Sequence, residues 1–308
     1  MPTGRVSDIQ RMTEAGVDLI FNKAAKQATE KYYTAISTEK KLQRRVGSYT
    51  TMGDLSAAEL KGEGDPIAFD KISQNYETTI TAKTVSKGVA ATLEQLEDDL
   101  YGTVTKAFGG SLIRVMNSYK EKEIANLYNN AFTATGADGV AQISDTHPLQ
   151  RSALVNDNLA TGPLTPANIK AAKNMFIRIY DQAGDFYGSQ ATHLLINSEF
   201  QFAAMEILES ALMSDELSNT INSVNKISPV RIILNPYITV TRGATDTAPW
   251  FLLDKTMTDA GAILQTKKGL TLETQWDFVT KDYQGTAIER YGSGIISPGY
   301  GLVGSTGL

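Results

Sequence analysis

The chain has 308 residues, of which 42% are hydrophobic and 20% charged, and its formal net charge is -5. It is long enough to bury a substantial core in one or two domains, its mild acidity argues against a strongly basic nucleic-acid-binding surface, and its lack of cysteine excludes disulfides and thiolate sites. We expect no membrane association or secretion, because no run approaches the roughly 20 apolar residues of a membrane span and the N-terminus lacks the apolar core of a signal peptide.

The first predicted element is an amphipathic helix over residues 8–36, in which apolar residues from Ile9 to Ile36 recur at helical spacing. Residues 23–45 carry seven basic side chains against two acidic ones. A solvated face is the simpler interpretation of this excess, and a contact with nucleic acid is the alternative. The basic residues nearest its end are Lys40, Lys41, Arg44 and Arg45.

Residues 46–91 form a polar stretch punctuated by glycine and proline that passes into strand-like alternation through Tyr76, Thr78 and Ile80. This pattern predicts a long two-stranded excursion with its tip near residues 62–66. An isolated hairpin of that length has too little core to be stable in water. It must therefore rest on its own domain or on another subunit, and the sequence leaves both possibilities open.

A helix is predicted to begin after Thr92, because Thr92 and Gln95 have the spacing of a capping box and acidic residues fill the next turns. Gly109-Gly110 interrupts its apolar stripe, and a second helical stripe follows. The members of the second stripe are Leu112, Val115, Met116, Tyr119, Leu127 and Ala131. Together the two stripes predict one long helix, with a kink or break, over residues 92–132.

The remainder of the chain alternates irregularly between helix and strand patterns. Residues 133–163 are rich in turn formers and predict a surface loop. Thr165 and Pro166 predict the cap and first residue of a helix, and Ser198 is predicted to cap another that runs to Leu212. Strands are predicted at 192–196, 230–234, 250–253 and 270–276. This alternation indicates an α+β fold with mixed sheets.

Few residues are candidates for catalysis or metal binding. The sequence lacks both common glycine-rich phosphate-binding motifs, and His147 and His193 stand outside any zinc-binding pattern. The cluster Glu97-Asp98-Asp99 has the side chains of a divalent-cation site, but consecutive helical residues point in different directions. We therefore favour a role for these acids at a helix N-terminus, and we predict no catalytic residue, cofactor or metal.

The run Leu96-Glu-Asp-Asp-Leu-Tyr-Gly102, between a strand and a long helix, resembles the L/I-E-D-D-x-x-G signature of Mu-type phage major head subunits. Asp138-Gly139 followed by His147-Pro148 is similar to a downstream segment of those proteins. Weaker matches follow in the same order at 234–237 and 291–301. The residues that the resemblance marks as structural are Glu97, Asp98, Asp99, Gly102, His147 and Pro148. In place of the tryptophan-rich loop of the Mu type, this chain has Leu55, Leu60 and Phe69.

The resemblance implies the Hong Kong 97-like capsid fold. Its parts would be an N-terminal arm (1–45), an extended β-hairpin loop (46–91), a peripheral domain with a long spine helix (92–162 and 256–291) and an axial domain (163–255 and 292–308). It implies a major capsid protein of a tailed bacteriophage, which self-assembles through pentamers and hexamers into an icosahedral shell around double-stranded DNA. The basic residues of the arm would face the inner surface or the DNA.

The resemblance also implies partners and a location. The extended loop would contact a neighbouring subunit through Leu60, Lys61, Glu63, Asp65, Ile67 and Phe69. Besides copies of itself, we expect portal, scaffold or decoration proteins and non-specifically packaged DNA as partners. The protein would be part of the virion after assembly in the host cytoplasm.

Two other functions stay open at this point. An encapsulin-like compartment would use the same fold to hold an enzyme cargo. A carboxylate-dependent hydrolase would instead use Glu97, Asp98 and Asp99 together with His147.

Overall fold

The structure is a computed structural model that describes residues 31–52, 55–58, 60–64, 66–67, 69–71, 74–98, 110–210, 222–224, 226, 228–243, 246–257, 261–296 and 300–308. Within these ranges the helices are α1 (Tyr32–Ile36), α2 (Leu93–Glu97), α3 (Leu112–Asn129), α4 (Pro166–Ile177) and α5 (Gln201–Glu209). The strands are β1 (Ser37–Lys41), β2 (Val46–Met52), β3 (Gln74–Thr81), β4 (Lys83–Ala91), β5 (His147–Pro148), β6 (Val155–Asn156), β7 (Leu159–Ala160), β8 (His193–Ile196), β9 (Arg231–Leu234), β10 (Trp250–Leu253), β11 (Ala262–Trp276), β12 (Tyr283–Ile295) and β13 (Leu302–Ser305).

The first sheet has four strands in the order β1-β11-β12-β4. Strands β11 and β12 form a long antiparallel ladder, β4 pairs antiparallel with β12, and β1 pairs parallel with β11. Helix α3 covers one face of this sheet, where Leu112 and Met116 pack against Ala287. A buried ion pair between Lys120 and Glu289 also joins α3 to β12.

The second sheet has five strands in the order β7-β13-β10-β8-β9 and contains both parallel and antiparallel pairs. Its core includes Ile169 and Phe176 of α4 and Leu208 of α5, packed with Trp250. A separate cluster, in which Tyr128 of α3 packs with Phe251 of β10, joins the two sheets. The α+β class with mixed sheets, predicted from the alternation of patterns, is confirmed.

Two of the predicted helix starts are confirmed in detail. Thr92 and Gln95 form a reciprocal capping box at the beginning of α2. The Thr165 hydroxyl accepts a hydrogen bond from the backbone N–H of Asn168 at 3.2 Å, and Pro166 is the first helical residue of α4. In each case the side chain satisfies an amide that has no partner within the helix.

Other predictions need correction. The cap before α5 is Asn197, whose side chain accepts from the Glu199 N–H at 2.8 Å, and a short 3₁₀ turn (Ser198–Phe200) precedes the helix. The strand predicted at 270–276 already begins at Ala262. Strands β12 and β13 were not predicted, because glycines interrupt their apolar alternation and favour a loop.

The predicted stripe is buried at Leu112, Met116 and Ala131, but the face that α3 buries departs from it elsewhere. Val115 and Tyr119 are 45% and 51% exposed, whereas Lys120 and Glu121 are buried. The spacing of apolar residues misses this part of the face because Lys and Glu side chains occupy it. Of the helix predicted at 8–36, the described residues contain only α1, and the predicted break near Gly109 lies outside the described residues. None of the helices in the described ranges is long and apolar enough to span a membrane.

Candidate functional site: the extended hairpin and its seat

Strands β2 and β3 form the predicted two-stranded excursion. They pair antiparallel from Val46 opposite Thr81 to Met52 opposite Gln74. The chain leaves this ladder at Ala82, whose N–H donates to the Arg45 carbonyl at 3.0 Å, and β4 then pairs with β12. We call residues 46–81 the extended hairpin and residues 55–71 its tip.

We call the end of the extended hairpin at Val46 and at Ile80 and Thr81 its root. The root lies against β12 at two glycines. A Cβ atom at Gly292 would lie 2.8 Å from the Thr81 carbonyl oxygen and 2.9 Å from Cγ2 of Ile80, and one at Gly294 would lie 3.1 Å from Ile80. Ile80 is buried with Ile263 and Ile296. Glycine is therefore required here because the hairpin backbone lies directly against the strand. We call Gly292, Gly294, Ile263 and Ile296 the seat.

The other face of β12 holds α3. The hydroxyls of Tyr291 and Ser293 donate to the carboxylate of Glu123 at 3.0 and 3.1 Å. Burial raises the pKa of Tyr291, and the nearby Glu123 carboxylate adds to this effect, so the phenol stays a donor. Side chains alternate along a strand, so the segment Tyr291-Gly-Ser-Gly-Ile places hydroxyls toward the helix and glycines toward the hairpin.

Hydrogen bonds fix the extended hairpin to the body of the same chain. The Gln265 side chain donates to the Tyr49 hydroxyl. Thr78 donates to the Ile296 carbonyl at 3.2 Å, and the Tyr76 hydroxyl donates to the Pro148 carbonyl at 3.0 Å. The sequence left open whether the hairpin rests on its own domain or on another subunit. These contacts show that the root rests on its own chain.

The tip is different, because its apolar side chains are exposed. Leu60 is fully exposed, Phe69 is 92% exposed and Ile67 is 64% exposed. Lys61 and Glu63 are also exposed, and Asp65 lies outside the described residues. Several large apolar side chains exposed in one loop point to an interaction surface more than a single one does. Among the described residues of the tip, these apolar side chains therefore lack a covering surface in the subunit alone.

The basic residues predicted on an arm lie on the approach to the hairpin. Lys40 and Lys41 belong to β1, within the first sheet, and the ammonium of Lys40 is 5.0 Å from the ring centroid of Tyr49. Arg44 and Arg45 are exposed between β1 and β2. Residues 31–41 are thus part of the folded body where the structure describes them.

The acidic cluster lies at the opposite end of its helix from the one predicted. Glu97 is the last residue of α2 and Asp98 is its C-cap; both are exposed, while Asp99 and Gly102 lie outside the described residues. The first-turn acid is Glu94. The predicted stabilisation of Glu97 and Asp98 by helix N-terminal amides is therefore wrong, because α2 ends after five residues.

His147 is a buried structural histidine. Its Nδ1 is 2.6 Å from Oδ2 of Asp138, and its Nε2 is 3.1 Å from Oδ1 of Asn158, so both ring nitrogens face oxygen acceptors. Pro148, next in sequence, accepts the hydrogen bond from Tyr76. The segment 133–163 is thus not simply a surface loop, because a buried polar network organises it and supports the hairpin.

These positions give no support to hydrolase chemistry. His147 is paired with Asp138 and Asn158, whereas Glu97 and Asp98 are exposed on another element. Within the part of the chain that the structure describes, no three His, Asp or Glu side chains are grouped as metal ligands. Sequence reasoning had singled out His147 but missed Asp138 and Asn158 as its partners, since nothing in their spacing indicates the contact.

Two phage capsids and an encapsulin are among the solved structures with a similar fold. The capsid of cyanophage P-SCSP1u has a TM-score of 0.57 at 9% identity, over 88% of this chain and 86% of that chain. The capsid of cyanophage Pam1 has a TM-score of 0.55 at 16% identity, over 88% and 87%. The holo-SrpI encapsulin complex of Synechococcus elongatus has a TM-score of 0.54 at 9% identity, over 91% and 88%. At these identities the likeness shows the fold alone, which is the Hong Kong 97-like capsid fold.

No curated protein matches the chain in sequence. The family described as phage capsid protein matches residues 75–302, which include β3, the His147 network and the seat. Such proteins are structural components of shells and not enzymes. The match spans well over half of the chain. The chain therefore belongs to the phage capsid protein family.

Proposed function

We propose that this chain is the major head subunit of a tailed bacteriophage and forms an icosahedral shell of pentamers and hexamers around double-stranded DNA. Its membership of the phage capsid protein family supports a self-assembling shell protein. The observation that carries the proposal is the contrast within the extended hairpin, whose root is fixed to the body while the apolar tip is exposed. A neighbouring copy of the chain is the natural cover for such a tip.

Assembly then follows from repeated contacts between identical subunits. A contact between different surfaces of two copies generates rings when the rotation closes. Burial of one Leu or Phe side chain contributes about 1.5–3 kcal/mol, so Leu60, Ile67 and Phe69 together supply a useful but modest contact. Many such contacts in one shell give high overall stability through multivalency.

We propose the following division of the chain. Strand β11 and most of β12, with α3, belong to the peripheral domain (92–162 and 256–291). Strands β8, β9, β10 and β13, with α4 and α5, belong to the axial domain (163–255 and 292–308). The presence of two sheets with their own hydrophobic clusters supports this division. Residues 1–45 and 46–91 would act as the arm and the extended loop.

The charge distribution suits a container for DNA. With a net charge of -5, the subunit has little general affinity for phosphate, so DNA would remain free to enter and leave. We propose that Lys40, Lys41, Arg44 and Arg45 face the inner surface and make weak, local contacts with it. Portal, scaffold or decoration proteins would be further partners, assembly would take place in the host cytoplasm, and the motif order supports a relation to Mu-type head subunits.

Deletion of residues 56–68 tests the role of the tip. We expect the deletion variant to fold with the melting temperature of the full chain but to form no stable shells, as checked by circular dichroism and negative-stain electron microscopy. The substitutions Leu60→Ser and Phe69→Ser should weaken assembly more than Lys61→Ser and Glu63→Ser in the same loop. Shells from the deletion variant that match those of the full chain would refute the proposed role.

An encapsulin-like compartment is the second candidate, because the fold is shared with an encapsulin. Family membership favours the phage capsid. The contents of shells formed in the native host distinguish the two, since nuclease-resistant DNA is expected for a head and a protein cargo for a compartment.

A further inference from the structure

The carboxylate of Asp70 links the two sides of the tip to each other and to the body of the subunit. Oδ2 of Asp70 accepts the backbone N–H of Ser56 at 2.6 Å, and Oδ1 accepts the N–H of Lys71 at 2.9 Å. Oδ1 also accepts a hydrogen bond from Nη2 of Arg151 at 2.6 Å. Ser56 follows β2 and Asp70 precedes β3, so the carboxylate joins the two ends of the tip and attaches them to Arg151.

The position of Arg151 makes this attachment specific. Arg151 lies three residues after Pro148, which accepts the hydrogen bond from Tyr76 near the root. Its backbone N–H donates to the Gln182 carbonyl at 3.2 Å, which fixes the residue to the body. The side chains of Arg151 and Asp70 are 26% and 23% exposed, so the pair is partly shielded from water.

The chemistry of the pair favours a persistent contact. The Arg151 guanidinium, together with the backbone N–H and side chain of Ser56 and the backbone N–H of Lys71, holds the pKa of Asp70 well below its usual range. This lowering favours the charged form of Asp70. Hydrogen bonds between charged groups are shorter and stronger than neutral ones, in agreement with the 2.6 Å distance.

The tip has no regular secondary structure in its described residues, so without such a contact it would sample many orientations. Fixing a loop in its bound conformation increases affinity because less conformational entropy is lost on binding. We propose that Asp70 and Arg151 are positioning residues for shell assembly, which hold the tip in the orientation that meets a neighbouring copy of this chain. This inference rests on the function proposed above.

The substitution Asp70→Asn tests the contact directly in the purified full-length chain. An amide side chain has one acceptor oxygen in place of two and carries no charge. We expect hydrogen exchange at the Ser56 amide to become about tenfold faster or more. The critical subunit concentration for assembly should rise about threefold to tenfold. The melting temperature should stay unchanged, because the pair lies outside the core.

Two further variants complete the test. Arg151→Gln breaks the attachment from the body side and leaves Ser56 and Lys71 bonded to Asp70, so it should raise the critical concentration with little change in exchange at Ser56. Glu273→Gln is the matched control, because it removes one negative charge from the exposed Lys268–Glu273 pair, with its 3.2 Å separation, and should leave both measurements unchanged.

The outcomes separate this inference from the proposed function. If Asp70→Asn and Arg151→Gln assemble at the concentration of the unaltered chain while deletion of 56–68 prevents assembly, the positioning role is refuted and the role of the tip stands. If the deletion variant also assembles normally, the proposed role of the tip fails as well. Unchanged exchange at Ser56 in Asp70→Asn would refute the contact itself.

Discussion

At the scale of single residues, α3 carries more buried charge than its sequence pattern indicates. Lys120 forms an ion pair with Glu289, and its ammonium lies 5.3 and 5.1 Å from the ring centroids of Tyr33 and Tyr291. Glu121, next in sequence, is buried beside the start of α1. These contacts join residues more than 80 positions apart, so local spacing cannot predict them, and the apolar stripe predicts only part of the buried face.

Glu121 should make stability depend on pH. Burial raises its pKa from the usual 4.5 to about 7, although backbone N–H groups of Tyr32 and Tyr33 and the charges of Lys120 and Lys31 oppose the shift. Between pH 4.5 and about pH 7 the Glu121 side chain is protonated to a greater extent in the folded state than in the unfolded state. Stability from this group is therefore present below about pH 4.5 and is lost as the pH rises through about 7.

Glu121→Gln removes this dependence and keeps an acceptor oxygen for the two amides. We expect the variant to be more stable than the unaltered chain at pH 8, by about 1–3 kcal/mol. At pH 5 the two free energies of unfolding should be nearly equal. Urea unfolding at both pH values measures this difference, and a variant that is less stable at pH 8 would contradict the account.

At the scale of elements, the seat connects the extended hairpin to the first sheet through glycine. The sequence predicted the hairpin and its approximate tip, because glycine, proline and strand alternation are local signals. It did not predict that Gly292 and Gly294 support the root, because the contact depends on strands more than 200 residues apart. The motif Tyr291-Gly-Ser-Gly-Ile was visible only as a family resemblance, and the structure gives it a physical reason.

Gly292→Ala should therefore disturb the root of the hairpin. Its Cβ atom would lie 2.8 Å from a backbone oxygen, which cannot move without shifting β3. We expect a loss of about 1–3 kcal/mol in the free energy of unfolding, together with faster hydrogen exchange in β2 and β3. Gly269→Ala is the control, because its Cβ atom would meet nothing within 4 Å. Equal stability of the two variants would show that the hairpin does not depend on this close approach.

At the scale of the whole molecule, the alternation of helix and strand patterns predicted the fold class, but it did not predict the order in which the strands pair. Strand β1 lies parallel to β11, and β13 near the end of the chain pairs with β7 and β10. Such pairings join distant segments and leave little trace in local periodicity. His147 and Gly292 lie at close contacts of the fold, which local periodicity does not indicate.

The central claim is that copies of this chain close into a shell through the extended hairpin. Electron cryomicroscopy of the purified full chain, during a titration of subunit concentration, tests it most directly. The account predicts closed shells with five-fold and six-fold capsomers, in which the tip carrying Leu60 and Phe69 lies against a neighbouring subunit. Monodisperse monomers under all assembly conditions, or shells in which the tip remains in solvent, would contradict it.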